Sequence, residues 1–543
     1  MNRQIRQLAG ALIVLYVVLF AALNYWQVGR TEELASQPSN TRALIRQFDS
    51  PRGPIMTADG VVIARSEQVP GAADVKFRRL YPTGDLFANV TGYYTFGLGS
   101  TQLEKSQSDV LSGDTFTQQV RALDDMFSGT NDQSGAVHVT LRNDFQAIAK
   151  FLLGDREGSI VVMEPKTGAI KAMWSYPSYD PNLVADIDYD AAYAYLTELQ
   201  NDPRDPLLAN AYQQRYMPGS TFKVMTAGIA LDTGVVGLDT VFPDEREFLP
   251  PQTNDPIQNF EGTTCGGDMA EVFARSCNTA FARMGLEVGP DRFAEGVGRW
   301  GVGENVPIDL PGAAASIVGD LSELDDNLPL LAIRAFGQNE DQMVPLHMAM
   351  VAATVANDGA MMKPFVVDAE LDHDGNVISR TQPEVWKRPI SRETAGILRD
   401  LMVGVAQRGT ASCCIGLNNA ITVAAKTGTA QLNGAGEPER SHVWIVAYAP
   451  VEDPKYVVAV MLKGTNAEIS ASTGGRLAGP IAKAMLDEAF RIDAEQAAAA
   501  VPPATTPATT PATTPATTPA TTPPATTPPA STAPPPTATA AAP

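Results

Sequence analysis

The first long apolar run in the chain lies near its N-terminus. Residues 8–23, LAGALIVLYVVLFAAL, carry no charged or amide side chain, whereas Arg3 and Arg6 precede them and an aromatic pair follows them. A helix over residues 7–28 would be about 33 Å long at roughly 1.5 Å per residue, which is enough to cross a bilayer. This pattern favours a retained membrane anchor over a cleaved signal peptide, with residues 1–6 in the cytoplasm and the rest of the chain outside.

Residues 29–144 predict a small β-rich domain of short strands and turns. In the segment SPRGPIMTADGVVIARS, two apolar stretches flank residues 57–60, which have the composition of a hairpin turn. The pattern changes near Asp144, where DFQAIAKFLLG repeats apolar residues with a helical period. A new domain therefore starts at about residue 145.

Residues 145–492 mix helical patterns with strand patterns. Two strands are predicted in GSIVVMEPKTGAIKAMWSYPS, joined at residues 165–168, and helices are predicted from Ser220 and in HMAMVAATVANDG and TAGILRDLMVGVAQRG. The last block contains three apolar strands, AITVAAKTGTAQ, HVWIVAYAP and KYVVAVMLKG, and then a closing helix. Because short connections join antiparallel neighbours, we expect an α/β domain, layered in the α+β manner, with an antiparallel sheet.

Residues 493–543 predict a disordered tail. From Ala497 onward the chain has no charged and no aromatic residue, and it repeats Ala-Thr-Thr-Pro. Such a segment cannot bury enough apolar surface to form a core.

The overall composition excludes several classes of function. The chain has 61 acidic and 40 basic residues, a formal net charge of −21, which argues against nucleic-acid binding because that requires a basic face. Its four histidines are spread along the sequence, and no phosphate-binding glycine loop is present. We therefore expect neither a metal ion nor another cofactor.

The four cysteines are candidates for oxidation if the chain lies outside the membrane. They are Cys265, Cys277, Cys413 and Cys414, and they allow three pairings. A disulfide that involves Cys265 and a set of buried free thiols both fit the sequence. The neighbours Cys413 and Cys414 could pair with each other only in a strained ring.

Three short motifs carry the candidate chemistry. They are S-x-x-K at Ser220 and Lys223, S-x-N at Ser276 and Asn278, and K-T-G-T at Lys426, Thr427, Gly428 and Thr429. S-x-x-K alone is a weak signal, since a chain of this length contains roughly one or two by chance. The three motifs in this order are far more specific. A second K-T-G, at residues 166–168, lies at a predicted hairpin turn with no serine motif before it, so we expect it to be structural.

The ordered motifs resemble those of the penicillin-binding proteins and serine β-lactamases. RGPIMTADGVVIARS is similar to the R-G-x-I-x-D-R-x-G-x-x-L-A signature of class B penicillin-binding proteins, with Thr57 and Ala58 in place of Asp-Arg. GYYTFGLGSTQLEKS resembles their G-Y…G-x-x-G-L-E segment, with Gln102 in place of a glycine. The resemblance covers residues 50–492, and its closest form is the actinobacterial penicillin-binding protein A group.

This resemblance implies a peptidoglycan D,D-transpeptidase, which cross-links stem peptides through an acyl-enzyme and which β-lactams acylate. It implies that the backbone N–H groups of Ser220 and Thr429 form an oxyanion hole, and that the hydroxyls of Thr427 and Thr429 hold the carboxylate of D-Ala-D-Ala. It also implies a polytopic glycosyltransferase of the RodA or FtsW kind as a partner, and it allows a D,D-carboxypeptidase side activity.

The residue types explain the chemistry without the family. Ser220 and Lys223 are one helical turn apart, so the amine can reach the hydroxyl. A lysine with the ordinary pKa of ~10.4 is protonated at neutral pH, but burial and a second cation, Lys426, favour the neutral amine. Ser276 can then relay a proton to the leaving amine, and Asn278 can hydrogen-bond the donor peptide. Gly428 would let its strand approach the substrate backbone closely.

Two other functions fit part of the pattern. A serine β-lactamase or β-lactam sensor would share the Ser-Thr-Phe-Lys motif, which occurs in class D enzymes, but those enzymes carry S-x-V as the second motif. A non-enzymatic scaffold that binds a membrane protein would not need all three motifs intact. We therefore expect the transpeptidase.

Overall fold

The computed structural model describes residues 2–25, 48–70, 75–115, 118, 134–433 and 440–500. The predicted membrane span is present as the helix Asn2–Asn24, whose apolar window has a mean hydropathy of 2.1. By length and composition this helix can cross a membrane. It starts earlier in the chain than predicted, and residues 26–28 of the predicted span lie outside the described part, as does the tail from residue 501 onward.

A six-stranded sheet forms the centre of the N-terminal region. Its strands, in spatial order, are Val377–Arg380, Val367–Leu371, Ala136–Val139, Ile55–Met56, Val62–Gln68 and Phe77–Leu80. The predicted hairpin at residues 57–60 is confirmed, because Met56 pairs with Val62 across it. The hairpin of residues 367–380 comes from the part of the chain assigned to the second domain. It joins the sheet through a long-range pairing with Ala136–Val139 that no local pattern reveals.

A five-stranded antiparallel sheet forms the centre of the larger region. Its spatial order is Ala424–Gln431, Ser441–Ala449, Tyr456–Leu462, Gly158–Met163 and Ile170–Tyr176. Every residue of the three inner strands is buried. Because successive side chains of a strand point to opposite faces, other elements must cover both faces of this sheet. The expected antiparallel sheet is confirmed, and the strand that carries the third motif is at its edge.

Helices and short strand pairs make up the rest of the described fold. The α-helices after the first are Ala88–Thr91, Gln102–Ser106, Ser108–Ser112, Asn143–Leu153, Pro181–Val184, Tyr189–Asn201, Lys223–Asp232, Met269–Arg275, Asn278–Val288, Pro290–Arg299, Leu328–Arg334, Pro345–Ala356, Arg392–Gln407, Ala467–Ser470 and Gly479–Ala500. The 3₁₀-helices are Gly84–Phe87, Gly219–Phe222, Phe260–Gly262 and Leu321–Glu323, and Gly474–Ala478 is a π-helix. The short strand pairs are Tyr94–Thr95 with Gly99–Ser100, Val241–Glu245 with Cys265–Asp268, Glu247–Phe248 with Ile257–Gln258, Ile317–Val318 with Asp341–Gln342, and Met361–Met362 with Val385–Lys387.

A buried cluster of charges joins the two N-terminal sequence signatures. Arg52, from the R-G-P-I segment, donates to Glu104 Oε2 at 2.7 Å, and Arg79 donates to Glu104 Oε1 at 2.6 Å. The side chain of Glu104 is fully buried. Burial alone would raise the pKa of Glu104, but the two guanidinium groups outweigh burial and hold this pKa below its usual range. Glu104 is therefore charged, and its replacement should lower the stability of the N-terminal region.

We predict that Glu104→Gln destabilises the protein by about 3–5 kcal/mol, because it leaves two buried guanidinium groups without a counter-charge. The measurement is urea unfolding of the full chain in detergent, followed by circular dichroism. The matched control is Glu67→Gln, which removes the partner of Arg78 in an exposed ion pair. This control should barely move the unfolding midpoint, since water screens such pairs. Equal shifts in the two variants would contradict the prediction.

Candidate active site

Ser220 lies in a single 3₁₀ turn, Gly219–Phe222, which leads directly into the α-helix Lys223–Asp232. The predicted helix start is confirmed, with the difference that the serine precedes the α-helical part. Gly219 has φ +53°, and a Cβ on it would come within 2.6 Å of the carbonyl oxygen of Thr429. The absence of a side chain therefore lets the serine turn lie directly against the strand of the third motif.

Lys223 is completely buried and reaches the second motif. Its Nζ is 2.7 Å from the carbonyl oxygen of Ser276, 2.8 Å from Asn278 Oδ1 and 3.3 Å from Ser276 Oγ. A neutral amine has two N–H donors and one lone pair. If the two short contacts use both donors, the lone pair is left to accept a proton from Ser220, one helical turn away.

Lys426 also contacts Ser276. Its Nζ donates to Ser276 Oγ at 2.9 Å and to the carbonyl oxygen of Thr427 at 3.1 Å, and the side chain is completely buried. The hydroxyl of Ser276 is therefore within hydrogen-bonding distance of both lysine amines. The structure brings together Lys223, Ser276, Asn278 and Lys426, as the motif order predicts.

The two lysines have unusual protonation behaviour. Burial, together with the charge of Lys426, holds the pKa of Lys223 well below its ordinary value. Burial alone lowers the pKa of Lys426 to about 7. Desolvation disfavours the charged form of an amine, and a neighbouring cation disfavours it further. Lys223 is thus suited to act as a base, and Lys426 favours the neutral form of Lys223 when it carries its own proton.

The third motif lies on the edge strand Ala424–Gln431. A Cβ at Gly428 would be 2.6 Å from the carbonyl oxygen of Pro218, so this glycine accommodates the protein's own serine turn. The hydroxyl of Thr427 hydrogen-bonds that of Thr410 at 2.6 Å, and Thr429 Oγ1 accepts the N–H of Gly474 at 3.4 Å. Both threonine hydroxyls therefore have a polar neighbour from a separate segment of the chain.

Sequence reasoning missed several of these neighbours. Thr410 gave no signal, because a single threonine after a helix carries no pattern. Gln338 donates to the carbonyl oxygen of Thr429 at 3.5 Å, and no pattern in the sequence indicated this contact. Trp444 donates its indole N–H to the carbonyl oxygen of Met217 at 2.9 Å and so ties the serine turn to the central sheet.

The second motif is held by a disulfide. Cys277 is bonded to Cys265 on the strand Cys265–Asp268, which resolves the open choice between a disulfide and free thiols. Cys277 is therefore not a free nucleophile. Ser276 caps the end of the helix Met269–Arg275 in a left-handed conformation, with φ +61°. The disulfide at the following residue, Cys277, anchors this turn. The neighbours Cys413 and Cys414 are also bonded to each other, as the sequence allowed.

We predict that Gly219→Ala abolishes most acylation by β-lactams, because the new methyl group would push the serine turn away from Thr429. The matched control is Gly234→Ala, which also has positive φ, +69°, but meets no atom within 4 Å. The control should lose roughly 1 kcal/mol of stability from backbone strain and keep its acylation rate. The measurements are thermal unfolding and the rate of labelling by a fluorescent penicillin. Normal labelling of Gly219→Ala would contradict the prediction.

Two family models match the chain. A penicillin-binding protein transpeptidase domain matches residues 158–487, and a penicillin-binding protein A dimerisation domain matches residues 52–137.

Curated relatives and solved structures agree with these matches. The chain is 36% identical over 500 residues to peptidoglycan D,D-transpeptidase PbpA of Mycolicibacterium smegmatis, covering 90% of this chain and 99% of the relative. It is 33% identical over 504 residues to PbpA of Mycobacterium tuberculosis H37Rv, covering 90% and 99%. The ceftriaxone acyl-enzyme of penicillin-binding protein A from M. tuberculosis superposes with a TM-score of 0.76 at 31% identity, over 82% of this chain and 100% of that one. A D,D-transpeptidase domain from Eggerthella lenta gives 0.70 at 31% identity, over 82% and 99%. The chain therefore belongs to the penicillin-binding protein transpeptidase family.

Proposed function

We propose that the chain is a membrane-anchored peptidoglycan D,D-transpeptidase in which Ser220 is the nucleophile, and that β-lactams acylate the same serine. One observation carries the assignment of roles. Lys223 is buried, its pKa is lowered, and two acceptors orient its amine one helical turn from Ser220. This is the environment that a serine needs if a lysine is to take its proton.

Acylation starts when the lone pair of Lys223 accepts the proton of Ser220. The alkoxide attacks the carbonyl carbon of the penultimate D-Ala, and negative charge develops on the carbonyl oxygen. The backbone N–H groups of Ser220 and Thr429 bind this oxygen. The closeness of Gly219 to the Thr429 carbonyl supports this assignment, since it places the serine turn beside the strand. Such a donor contributes typically about 10²–10³-fold to the rate.

The second motif returns the proton. Lys223 passes it through Ser276 Oγ, 3.3 Å away, to the departing amine of the terminal D-Ala. Lys426, 2.9 Å from the same oxygen, favours the form of Ser276 that has given up its proton. The amine of a second stem peptide then attacks the acyl-enzyme, the steps run in reverse, and a new peptide bond forms. Water in place of that amine would give a carboxypeptidase side reaction.

The remaining motif residues bind the substrate in this proposal. The amide of Asn278 donates one N–H to the carbonyl oxygen of Gln258 at 3.0 Å, which leaves its second N–H for the donor peptide. The hydroxyls of Thr427 and Thr429 bind the terminal carboxylate. No cofactor takes part in any of these steps.

The N-terminal helix supports a membrane location. In the proposed topology residues 1–6 are cytoplasmic, residues 7–28 cross the membrane and the remainder is extracytoplasmic, since basic residues precede the span. Residues 29–144 would form the pedestal, residues 145–492 the transpeptidase domain and residues 493–543 the tail. A glycosyltransferase of the RodA or FtsW kind, which would supply uncross-linked glycan beside the same membrane, is the proposed partner.

A serine β-lactamase or β-lactam sensor is less well supported. The chain matches a penicillin-binding protein A dimerisation model ahead of the transpeptidase domain, and it aligns with named D,D-transpeptidases over 90% of its length. A transpeptidase also differs from a β-lactamase in deacylating slowly after it reacts with a drug.

We predict that benzylpenicillin adds one drug mass to the full chain in detergent, measured by intact-mass spectrometry. Ser220→Ala should show no adduct, whereas Ser322→Ala, at an exposed turn, should react like the parent. Rapid drug hydrolysis without an adduct would indicate a β-lactamase. If a folded sample showed no adduct and no hydrolysis of the drug, that result would contradict an enzymatic role.

A further inference from the structure

Thr410 connects the helix that leads to the second motif with the strand of the third motif. Its backbone N–H donates to the carbonyl oxygen of Ala274 at 3.2 Å, in the helix that ends at Ser276. Its hydroxyl hydrogen-bonds that of Thr427 at 2.6 Å. A Cβ at the preceding Gly409 would be 2.3 Å from the same Ala274 oxygen, so the backbone packs tightly there. A shift of Thr410 would therefore disturb contacts with both the second-motif helix and the third motif.

A disulfide between adjacent cysteines lies in the loop that carries Thr410, residues 409–414. Cys413 and Cys414 are bonded, and the N–H of Cys414 donates to the carbonyl oxygen of Ala411 at 2.9 Å. A Cβ at Gly479 would be 3.2 Å from the Cβ of Cys414, and a Cβ at Gly475 would be 2.1 Å from the carbonyl oxygen of Thr410. The loop of residues 409–414 is thus packed between the second-motif helix and the segment around residues 475–479.

This disulfide is the more accessible of the two. Cys413 is exposed, whereas Cys265 and Cys277 are 3% and 1% exposed. A thiol in solution must reach a sulfur atom to exchange with it, so the adjacent pair should react first.

We propose that Thr410 is a positioning residue for the carboxylate-binding hydroxyl of Thr427, and that the Cys413–Cys414 disulfide keeps it in place, so that small thiols weaken carboxylate recognition. The inference rests on the proposed function, in which Thr427 binds the substrate carboxylate.

In this proposal the hydroxyl of Thr410 orients the hydroxyl of Thr427. The Thr427 hydroxyl has a single hydrogen. When Thr410 donates its own hydrogen to Thr427 Oγ1, the Thr427 hydrogen is free to donate to a carboxylate, where the acceptor charge strengthens the bond. When Thr410 is displaced, Thr427 loses this donor and its hydroxyl is no longer oriented.

The redox step is thiol–disulfide exchange with a dithiol. Two electrons and two protons pass from the reductant to the protein, the S–S bond breaks, and each cysteine becomes a thiol. The reductant closes into its own disulfide. The covalent ring that the Cys413–Cys414 disulfide forms is then open, and the turn that holds Thr410 is no longer cross-linked.

The test of Thr410 compares two ligands in the full chain. Thr410→Val should acylate roughly 3–10-fold more slowly with benzylpenicillin, which has the carboxylate, since one oriented hydrogen bond is lost. With benzylpenicillin methyl ester, which lacks the charge, the variant and the parent should react at similar rates. Thr410→Ser, which restores the hydroxyl, should recover most of the difference. A merely structural role would slow both ligands equally and would overturn the proposal.

The test of the disulfide uses the double variant Cys413→Ala, Cys414→Ala, which keeps the Cys265–Cys277 bond. Its carboxylate preference, which is the ratio of the acylation rate with benzylpenicillin to that with the methyl ester, should fall by the same 3–10-fold as in Thr410→Val. In the parent, dithiothreitol should lower that preference in step with alkylation of Cys413 and Cys414 in peptide maps, and it should have no such effect on the double variant over the same range. If the double variant keeps the parental preference, or loses it only when Cys265 and Cys277 are alkylated, the proposal is wrong.

These outcomes separate the inference from the proposed function. If the parent shows no adduct at Ser220, the function itself fails. If the parent is acylated normally but the Thr410 and cysteine variants match it with both ligands, the function stands and this inference alone is refuted.

Discussion

Two buried lysine amines share one serine hydroxyl, and the candidate site depends on that arrangement. The Nζ atoms of Lys223 and Lys426 lie 3.3 and 2.9 Å from Ser276 Oγ, and both side chains are completely buried. Two buried cations so close together are unfavourable, and the least costly response is for one amine to release its proton. The proposed general base is therefore a consequence of burying these two amines close together.

The surrounding fold keeps the three motifs from separating. Gly219 and Gly428 have no side chain where the serine turn meets the edge strand, so two pieces of backbone pack in direct contact. The indole of Trp444 ties the serine turn to the central sheet, and the Cys265–Cys277 bond fixes the residue after Ser276. A buried sheet can transmit such constraints because its interior is close-packed.

Much of this could be predicted from the sequence because its signals are local. The apolar run at the N-terminus, the strands on either side of residues 165–168 and the helix that follows Ser220 all follow from short-range periodicity. The rest depends on pairings between distant segments. The hairpin of residues 367–380 completes the N-terminal sheet, and the hydroxyl of Thr410 hydrogen-bonds that of Thr427. Neither contact leaves a pattern in the residues that make it. Cysteine pairing was open for the same reason, since spacing alone does not choose a partner.

The titration of Lys223 tests the proposed general base most directly. Lysines labelled with ¹³C at Cε would be followed by NMR against pH in the full chain, and the Lys223 signal assigned by its loss in Lys223→Met. We predict that the pKa of Lys223 is well below 10.5 and that acylation is lost as the pH falls through the pKa of Lys223, because protonation removes the base. A Lys223 that titrates near 10.5, like a lysine in water, would contradict it.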